Sequence, residues 1–461
     1  MKAKKQGKGE SGRVVSGAVR LDTLERINLN AAGLDIGAEE IYACVPDGRD
    51  AEASVRVFGT YTTNLLALAD WLAQCRIDTV AMESTGVYWI PAFEILEARG
   101  FKVYLVNARQ VKNVSGRKTD VLDCQWIQQL HTYGLLSNSF RPEGEICALR
   151  AYLRHRSNLI RYRSGHVQHI QKALQQMNVQ LVQAVSDMTG ATGMRIIRAI
   201  VAGERDPQVL AQQRDPRCAK SVEEIARALT GNYRAEHVFA LQQAVELYDF
   251  YTQQIAACDA EVERQFSVIE SQVDVAAHPL PPKASKTRSK NAPAFDARTQ
   301  VYRVSGVDLT RIDGIDDALA QEITAEIGVD MSPWPTAKHF ASWLRLAPRN
   351  DVSGGKLLRS QTGKTGNRAA QAFRMAAQAV QRSDSALGAF YRRMKSKYGA
   401  AQATTATAHK IARIVYHMLR HKEEYVDQGA TYYEEQYRKR TIKNLERKAA
   451  RLGMKVVPAA T

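Results

Sequence analysis

The sequence has few of the features that define several large protein classes. No run approaches the roughly 18 consecutive apolar residues of a membrane-spanning helix, and the first 30 residues lack the apolar core of a signal peptide. The 6 cysteines lie far apart and no two form a CxxC pair, which argues against a zinc ribbon or a disulfide framework. We therefore expect a cytoplasmic protein with reduced thiols and no membrane span.

Acidic residues are also under-represented. The chain of 461 residues has 64 Lys and Arg against 48 Asp and Glu, a formal net charge of +16. Such an excess of cations favours a polyanionic partner, because cations that neutralise phosphates release bound counterions. Nucleic acid is the first candidate and an anionic membrane surface the second. With 45% hydrophobic residues, the chain has enough apolar side chains to fold into several domains.

The first third of the sequence predicts an α/β domain after a basic arm. Residues 1–28 form the arm, and residues 29–144 form a domain in which β-prone runs precede alternating helices and strands. This order predicts an antiparallel meander that continues into a mixed sheet. The strands are expected at 29–36, 41–45, 53–58, 79–82 and 102–106, and the helices near 65–72, 88–99 and 119–136.

The remaining two thirds of the sequence, from residue 145, are predicted to be mainly helical. We expect a helical region with a coiled-coil or bundle seam at 145–278, a basic linker at 279–298, a compact helical domain at 299–425 and a basic helical tail at 426–461. Within the helical domain, residues 309–327 have the outline of a helix-hairpin-helix, which offers backbone amides to a DNA phosphate.

Four carboxylates lie at the ends of predicted elements in the first domain. Asp35 ends the first strand, Glu83 ends the fourth, and Asp120 and Asp123 are three apart at the start of a helix. If the two strands are neighbours, their acids emerge at one edge of the sheet, and the helical spacing puts the other two on one face. Converging oxygen ligands are what one or two Mg²⁺ ions need, and Lys118 beside them fits a phosphate. Singly, Asp35 reads as a turn cap and Asp120 as a helix-start residue.

Ser353 stands beside two glycines at the start of a strongly basic stretch. Residues 352–382 hold six Lys or Arg and no acid. A serine becomes a nucleophile only when a base or metal activates it and cations stabilise the developing charge. The sequence supplies cations but no nearby base, so a turn serine remains the alternative. The predicted nucleic-acid contacts here are Lys356, Arg359, Lys364 and Arg368.

Taken in order, these motifs resemble the DEDD transposases of bacterial insertion sequences, the insertion-sequence one-ten family, over about residues 31–425. The most specific matches are Leu-Asp-Ile-Gly at 34–37, Met-Glu-Ser-Thr-Gly-Val-Tyr-Trp at 82–89, Lys-Thr-Asp-Val-Leu-Asp at 118–123, and Leu-Ala-Pro followed by Ser-Gly-Gly-Lys at 346–356.

The resemblance implies a RuvC-like, RNase H-like first domain, a coiled-coil insert and a small helical transposase domain. It implies that the four acids bind Mg²⁺ and that Ser353 attacks a DNA phosphate to form a covalent phosphoserine link. It further implies donor and target DNA, a structured bridge RNA as guide, a dimer or tetramer, and association with the nucleoid.

One departure from the family pattern affects the helix-hairpin-helix. Where the family often reads Pro-Gly-Val-Gly, this chain has Asp313-Gly314-Ile315-Asp316, which disfavours a phosphate contact there. Among other classes, an actin-like ATPase needs a second phosphate loop that the sequence lacks, and a DEDD exonuclease needs an acid where Gly37 stands. A RuvC-like endonuclease or resolvase without an RNA guide and a non-enzymatic DNA-binding protein stay open.

Overall fold

The protein divides into two compact units, with the boundary after Arg141. The computed structural model describes residues 24–84, 86–107, 119–142, 144–282, 289–363 and 365–457. Most of the predicted basic arm, Lys118 and Lys364 lie outside the described residues.

The first unit is built on a five-stranded mixed sheet. Its strands are β1 (Ala31–Ile36), β2 (Glu40–Cys44), β3 (Val55–Gly59), β4 (Thr79–Glu83) and β5 (Lys102–Val106). The spatial order is β3-β2-β1-β4-β5, with β1, β2 and β3 antiparallel and with β4 and β5 parallel to β1. The meander followed by parallel strands confirms the predicted RNase H-like architecture.

Helices cover both faces of this sheet. Helices α1 (Thr62–Gln74) and α2 (Trp89–Ala98) pack on one face, where Leu34 and Met82 join the buried core. Helix α3 (Asp120–Thr132) packs on the other, where Ala81 contacts its apolar side. Because β1 and β4 are buried on both faces, their sequences read as apolar runs without alternation.

The C-terminal end of α3 is held by a buried histidine. The Thr79 hydroxyl donates to the carbonyl of Lys102 at 2.9 Å and lies 2.8 Å from Nε2 of His131, so it accepts from that ring nitrogen. The Asn28 amide donates to the carbonyl of His131 at 2.7 Å. Burial, followed by the charge of Lys102, lowers the pKa of His131 to about 4, which keeps the ring neutral at pH 7. Helix α3 is therefore bound to both β4 and the segment that precedes β1.

A glycine lets α3 approach β1. A Cβ atom on Gly33 would lie 2.3 Å from the backbone nitrogen of Gln128 and 2.4 Å from the carbonyl oxygen of Cys124. Both atoms belong to the α3 backbone, so no side-chain movement would relieve the contact. The close crossing places the first turn of α3 next to the end of β1, and this is why glycine occupies position 33.

The second unit is mainly helical. Its longest elements, α4 (Gly144–Gln176) and α9 (Ala235–Val268), run antiparallel. Arg156 and Asp259 form a buried ion pair between them, and Asp259 also accepts from the backbone of Ala294 at 3.1 Å, in the predicted linker. Shorter helices lie between the long pair in the chain: α5 (Leu181–Ala184), α6 (Ala191–Val201), α7 (Pro207–Ala211) and α8 (Val222–Leu229).

The remainder of this unit packs around aromatic side chains, with Phe340 and Phe373 fully buried. Its helices are α10 (Ala297–Ser305), α11 (Asp317–Ile327), α12 (Ala337–Trp343), α13 (Arg368–Ala379), α14 (Ala386–Tyr398), α15 (Ala400–His421) and α16 (Gly429–Arg451), with 3-10 turns at Leu309–Arg311 and Val380–Arg382. Strands β6 (Arg349–Ser353) and β7 (Lys356–Gln361) form an exposed hairpin that the sequence analysis did not predict.

We expect Gly33→Ala to destabilise the first unit by about 1–3 kcal/mol or more, because the added methyl group meets the α3 backbone. Urea unfolding followed by circular dichroism measures this loss. The matched control is Gly165→Ala in α4, where an added Cβ would meet nothing within 4 Å. Alanine is favoured over glycine in a helix by about 1 kcal/mol, so this control should leave stability unchanged or raise it. Equal effects of the two substitutions would contradict the close crossing.

Candidate functional site

Three predicted acids converge where β1 meets α3. Asp35 lies two residues after Gly33 on β1 and therefore faces the same side of the sheet. Asp120 and Asp123 lie in the first turn of α3. The preceding residue, Thr119, caps the helix, because its side chain accepts a hydrogen bond from the backbone of Leu122 at 3.3 Å. One carboxylate oxygen from each of the three acids lies within 4.8 Å of the others. The structure thus brings together acids separated by 85 or more positions in the numbering.

The arrangement of these oxygens suits a divalent cation. Asp120 is exposed, and Asp35 and Asp123 are half-buried. Three like charges this close repel one another, and a bound cation removes that repulsion. Carboxylate oxygens are hard ligands of the kind that Mg²⁺ and Mn²⁺ prefer. The donor set therefore fits a divalent metal ion.

Glu83 lies at the same edge of the sheet. Met82 on β4 pairs with Leu34 on the parallel strand β1. Glu83 and Asp35 are the next residues on these two strands, so they lie at the same end of the sheet. Glu83 is two residues after Ala81, whose side chain packs on the α3 face, so it points to the side that carries the other acids. Its carboxylate nevertheless lies outside the group of three that meets within 4.8 Å.

Tyr42 is a neighbour of the site that the sequence analysis missed. It pairs with Asp35 across β1 and β2, and its hydroxyl donates to the Glu40 carboxylate at 3.0 Å. This hydrogen bond and the charge of Glu40 raise the pKa of Tyr42 most, and Asp120 and Asp35 add to the effect. The site thus carries a negative electrostatic potential that reaches β2. Only the strand pairing reveals Tyr42, which has no recognisable motif around it.

Ser353 lies at the tip of the β6-β7 hairpin. Gly354 and Gly355 form the two-residue connection with φ of 55° and 75°, values that favour glycine and are typical of a type I′ turn. Ser353 pairs with Lys356, and every residue of both strands is exposed. The two glycines are thus explained by the turn, and the hairpin presents the Ser353 hydroxyl to solvent.

The predicted nucleic-acid contacts fall into two groups. Lys356 and Arg359 are exposed on β7, and Arg359 donates to the side chain of Gln361 at 2.6 Å. Arg368 is half-buried at the start of α13 and lines a cavity with Glu322 and Glu326. Burial, followed by Glu326, raises the pKa of Glu322, and Arg368 opposes that shift. Arg368 therefore interacts with acids inside the unit, whereas the hairpin cations face solvent.

The acids of the helix-hairpin-helix outline have internal partners. Asp313 accepts from the hydroxyl of Ser383, and Asp316 caps α11 by accepting from the backbone of Leu319 at 2.9 Å. Gly314 has φ of 89° and packs against the α13 backbone at Ala376. The segment that stands where the family often has Pro-Gly-Val-Gly is therefore a turn held by contacts within the unit.

Two family models match the chain in separate regions. A model described as DEDD transposase IS110 matches residues 32–179, and one described as transposase IS116/IS110/IS902 family matches residues 308–392. The chain belongs to the IS110 family of transposases. Together the matched ranges cover about half of the chain and include the three converging acids, Glu83 and Ser353.

Membership of this family establishes the general activity. An IS110-family transposase binds DNA and cuts and rejoins its strands. The match to the DEDD class suggests the use of a divalent metal ion, and the acidic cluster is consistent with this. No curated protein matches the chain in sequence. Among the described helices, none combines the length and the apolar character needed to cross a membrane.

We expect Asp35→Asn, Asp120→Asn and Asp123→Asn each to weaken Mn²⁺ binding by about tenfold or more, because each removes one anionic ligand. Electron paramagnetic resonance of free Mn²⁺ during titration measures the affinity. The control is Asp70→Asn on α1, where Asp70 pairs with Arg99 at 2.6 Å and lies outside the cluster. Wild-type affinity in all three variants would show that the acids do not form a metal site.

Proposed function

We propose that this IS110-family transposase is an RNA-guided, Mg²⁺-dependent recombinase that uses Ser353 as its nucleophile. The observation that carries the proposal is the convergence of Asp35, Asp120 and Asp123 within 4.8 Å. Glu83, on the same face and edge of the sheet, is assigned as the fourth metal-binding acid.

The carboxylates would hold one or two Mg²⁺ ions. When bound, the ion supplies Lewis-acid stabilisation of the negative charge on the reacting phosphate. The first turn of α3 fixes Asp120 and Asp123, and β1 fixes Asp35, so the ligands are positioned by regular elements that are bound to each other at Gly33. Rigid elements keep the ligand geometry without an ordering cost during the reaction.

The proposed strand cleavage begins at the Ser353 hydroxyl. Its oxygen forms a bond to the phosphorus of the scissile phosphodiester, and the bond from phosphorus to one bridging oxygen of the DNA breaks. The serine proton leaves to a carboxylate or to water, and the departing strand takes up a proton as it becomes a free hydroxyl. Rejoining is the reverse reaction with the hydroxyl of another strand.

Ser353 meets several requirements of this chemistry and lacks one. The hairpin exposes the hydroxyl, and Lys356 and Arg359 are close in the chain to offset the phosphate charge. Asp351 is the carboxylate of the hairpin, and it interacts with Arg349 rather than with Ser353. We therefore assign the deprotonation of Ser353 to the metal-site carboxylates, from the same chain or from another copy in a dimer or tetramer.

The RNA guide is proposed to choose the donor and target DNA. A net charge of +16 favours partners with many phosphates, and a structured RNA would delegate sequence choice to base pairing. The acids alone also support a second candidate, a RuvC-like endonuclease that activates water and needs neither Ser353 nor RNA.

We expect Ser353→Ala and Asp35→Asn each to reduce strand exchange by about a thousandfold or more, because each removes a group that acts on the reacting phosphate. The wild type should yield a protein-DNA adduct that survives SDS, and these two variants should not. Ser360→Ala is the matched control, since Ser360 lies on the same hairpin opposite Asn350 and is also exposed.

Three outcomes would separate the alternatives. An SDS-resistant adduct from Ser353→Ala that disappears in Ser360→Ala would move the nucleophile to Ser360. Target-specific cutting that persists after ribonuclease treatment of the protein, with no adduct, would support the unguided endonuclease. Equal DNA retention by wild type and variants in EDTA, with no cutting in Mg²⁺, would leave a DNA-binding protein without this activity.

A further inference from the structure

A cavity of about 640 Å³ lies in the C-terminal part of the second unit, among α14, α15, α16 and the segment that joins the last two. Most of its lining residues follow residue 392, where the second family match ends. Its volume falls in the range of sites for small organic ligands, roughly 300–1,000 Å³.

The lining combines cations with aromatic rings. Lys410, Arg413 and Arg440 contribute positive charge, and Phe390, Tyr425, Tyr432 and Tyr433 contribute rings. The lining contains no Asp or Glu. An anion with a planar aromatic group would complement both parts of this surface.

Lys410 carries the strongest argument for an anionic ligand. Its ammonium group lies 4.8 Å from the ring centre of Phe390 and 5.3 Å from that of Tyr433. Burial, followed by the charge of Arg440, lowers the pKa of Lys410, and the charge of Asp427 opposes that shift. Among the residues that the structure describes, no carboxylate forms a salt bridge with Lys410, Arg413 or Arg440. A half-buried cation that contacts two ring faces and has no carboxylate in salt-bridge contact is stabilised further by a bound anion.

The aromatic side chains of the cavity differ in how accessible they are to a ligand. Phe390 and Tyr433 pack edge to face at 6.1 Å, and the Tyr425 hydroxyl donates to Asp427 at 2.9 Å. Tyr432 is 47% exposed and lines the cavity, so its side chain is accessible to a planar partner. Stacking on such a ring is how proteins bind unpaired bases without sequence preference.

Helix α16 continues from the cavity as a cationic surface. Arg393 of α14 stacks on Tyr437 with 3.4 Å from its guanidinium carbon to the ring centre, and it pairs with Glu434, so α16 is fixed at its start. From 438 to 455 the chain carries eight Lys or Arg and one Glu, and the basic residues of α16 there are exposed. A polyanion that enters the cavity would find further cations along the helix.

We propose that this cavity binds an unpaired nucleotide of a single-stranded nucleic acid, with its phosphate beside Lys410, Arg413 and Arg440 and its base on Tyr432. A duplex does not expose a base face for stacking, so the site should favour single strands. This role goes beyond strand cleavage and does not depend on the proposed metal site or on Ser353.

The test uses the full-length protein and fluorescent oligonucleotides of one sequence as single-stranded RNA, single-stranded DNA and duplex DNA. Fluorescence anisotropy at fixed salt should show that Tyr432→Ala and Lys410→Met each weaken single-strand binding by about fivefold or more. Duplex binding should change by less than about twofold. Comparison of single-stranded RNA with single-stranded DNA shows which of the two the cavity binds. The oligonucleotide that binds there more tightly should lose more affinity in the variants.

Two controls keep the result specific. Lys338→Met removes an exposed cation of the same unit that lies outside the cavity, and it should bind single strands as the wild type does. Tyr432→Phe retains the ring and should restore binding lost in Tyr432→Ala. If circular dichroism shows that Lys410→Met does not fold, the comparison of Tyr432→Ala with Tyr432→Phe decides the result, because Tyr432 is exposed.

Photocrosslinking gives an independent readout. A single-stranded oligonucleotide with 4-thiouridine, or with 4-thiothymidine for DNA, should crosslink to a peptide of α16 that contains Tyr432. The proposal is overturned if Tyr432→Ala binds single strands with wild-type affinity, or if crosslinks map only to other parts of the protein. Strand exchange that fails while this binding persists would count against the recombinase proposal alone.

Discussion

The rest of the candidate site depends on the close crossing of α3 over β1. With no side chain at Gly33, the two backbones meet at a distance that any Cβ would prevent. This crossing places Asp120 and Asp123 next to Asp35, and the buried hydrogen bond of His131 holds the other end of the helix. The repulsion among three carboxylates is thus opposed by the packing of a whole helix, which allows a metal-binding arrangement to persist in the fold.

Much of the first unit could be predicted from its sequence. Apolar runs separated by turn residues indicated five strands, and their bounds differ by only a few residues from those observed. The convergence of Asp35 with Asp120 and Asp123 was predictable because acids followed an apolar strand and began a helix. Whether Glu83 joins the group depends on side-chain positions within a few ångströms, which spacing along the chain does not determine.

Other features depend on tertiary contacts and had weak local signals. The hairpin around Ser353 has no buried residue, so its strands lack the apolar alternation that indicates a half-buried sheet, and only Gly354-Gly355 marked a turn. The sequence places Arg368 in the same basic stretch as the hairpin cations and predicts the same nucleic-acid contact for it. In the structure Arg368 instead lines a cavity together with Glu322. Tyr42 and the cavity around Lys410 arise from strand pairing and helix packing between residues without a shared motif.

The central claim is that carboxylates from β1 and α3 form one divalent-metal site. Anomalous X-ray diffraction from crystals of the protein soaked in Mn²⁺ tests it most directly, because the signal locates the ion without assuming its ligands. We expect an anomalous peak within bonding distance of carboxylate oxygens of Asp35, Asp120 and Asp123. Acids that point apart into solvent, with no peak among them, would contradict it.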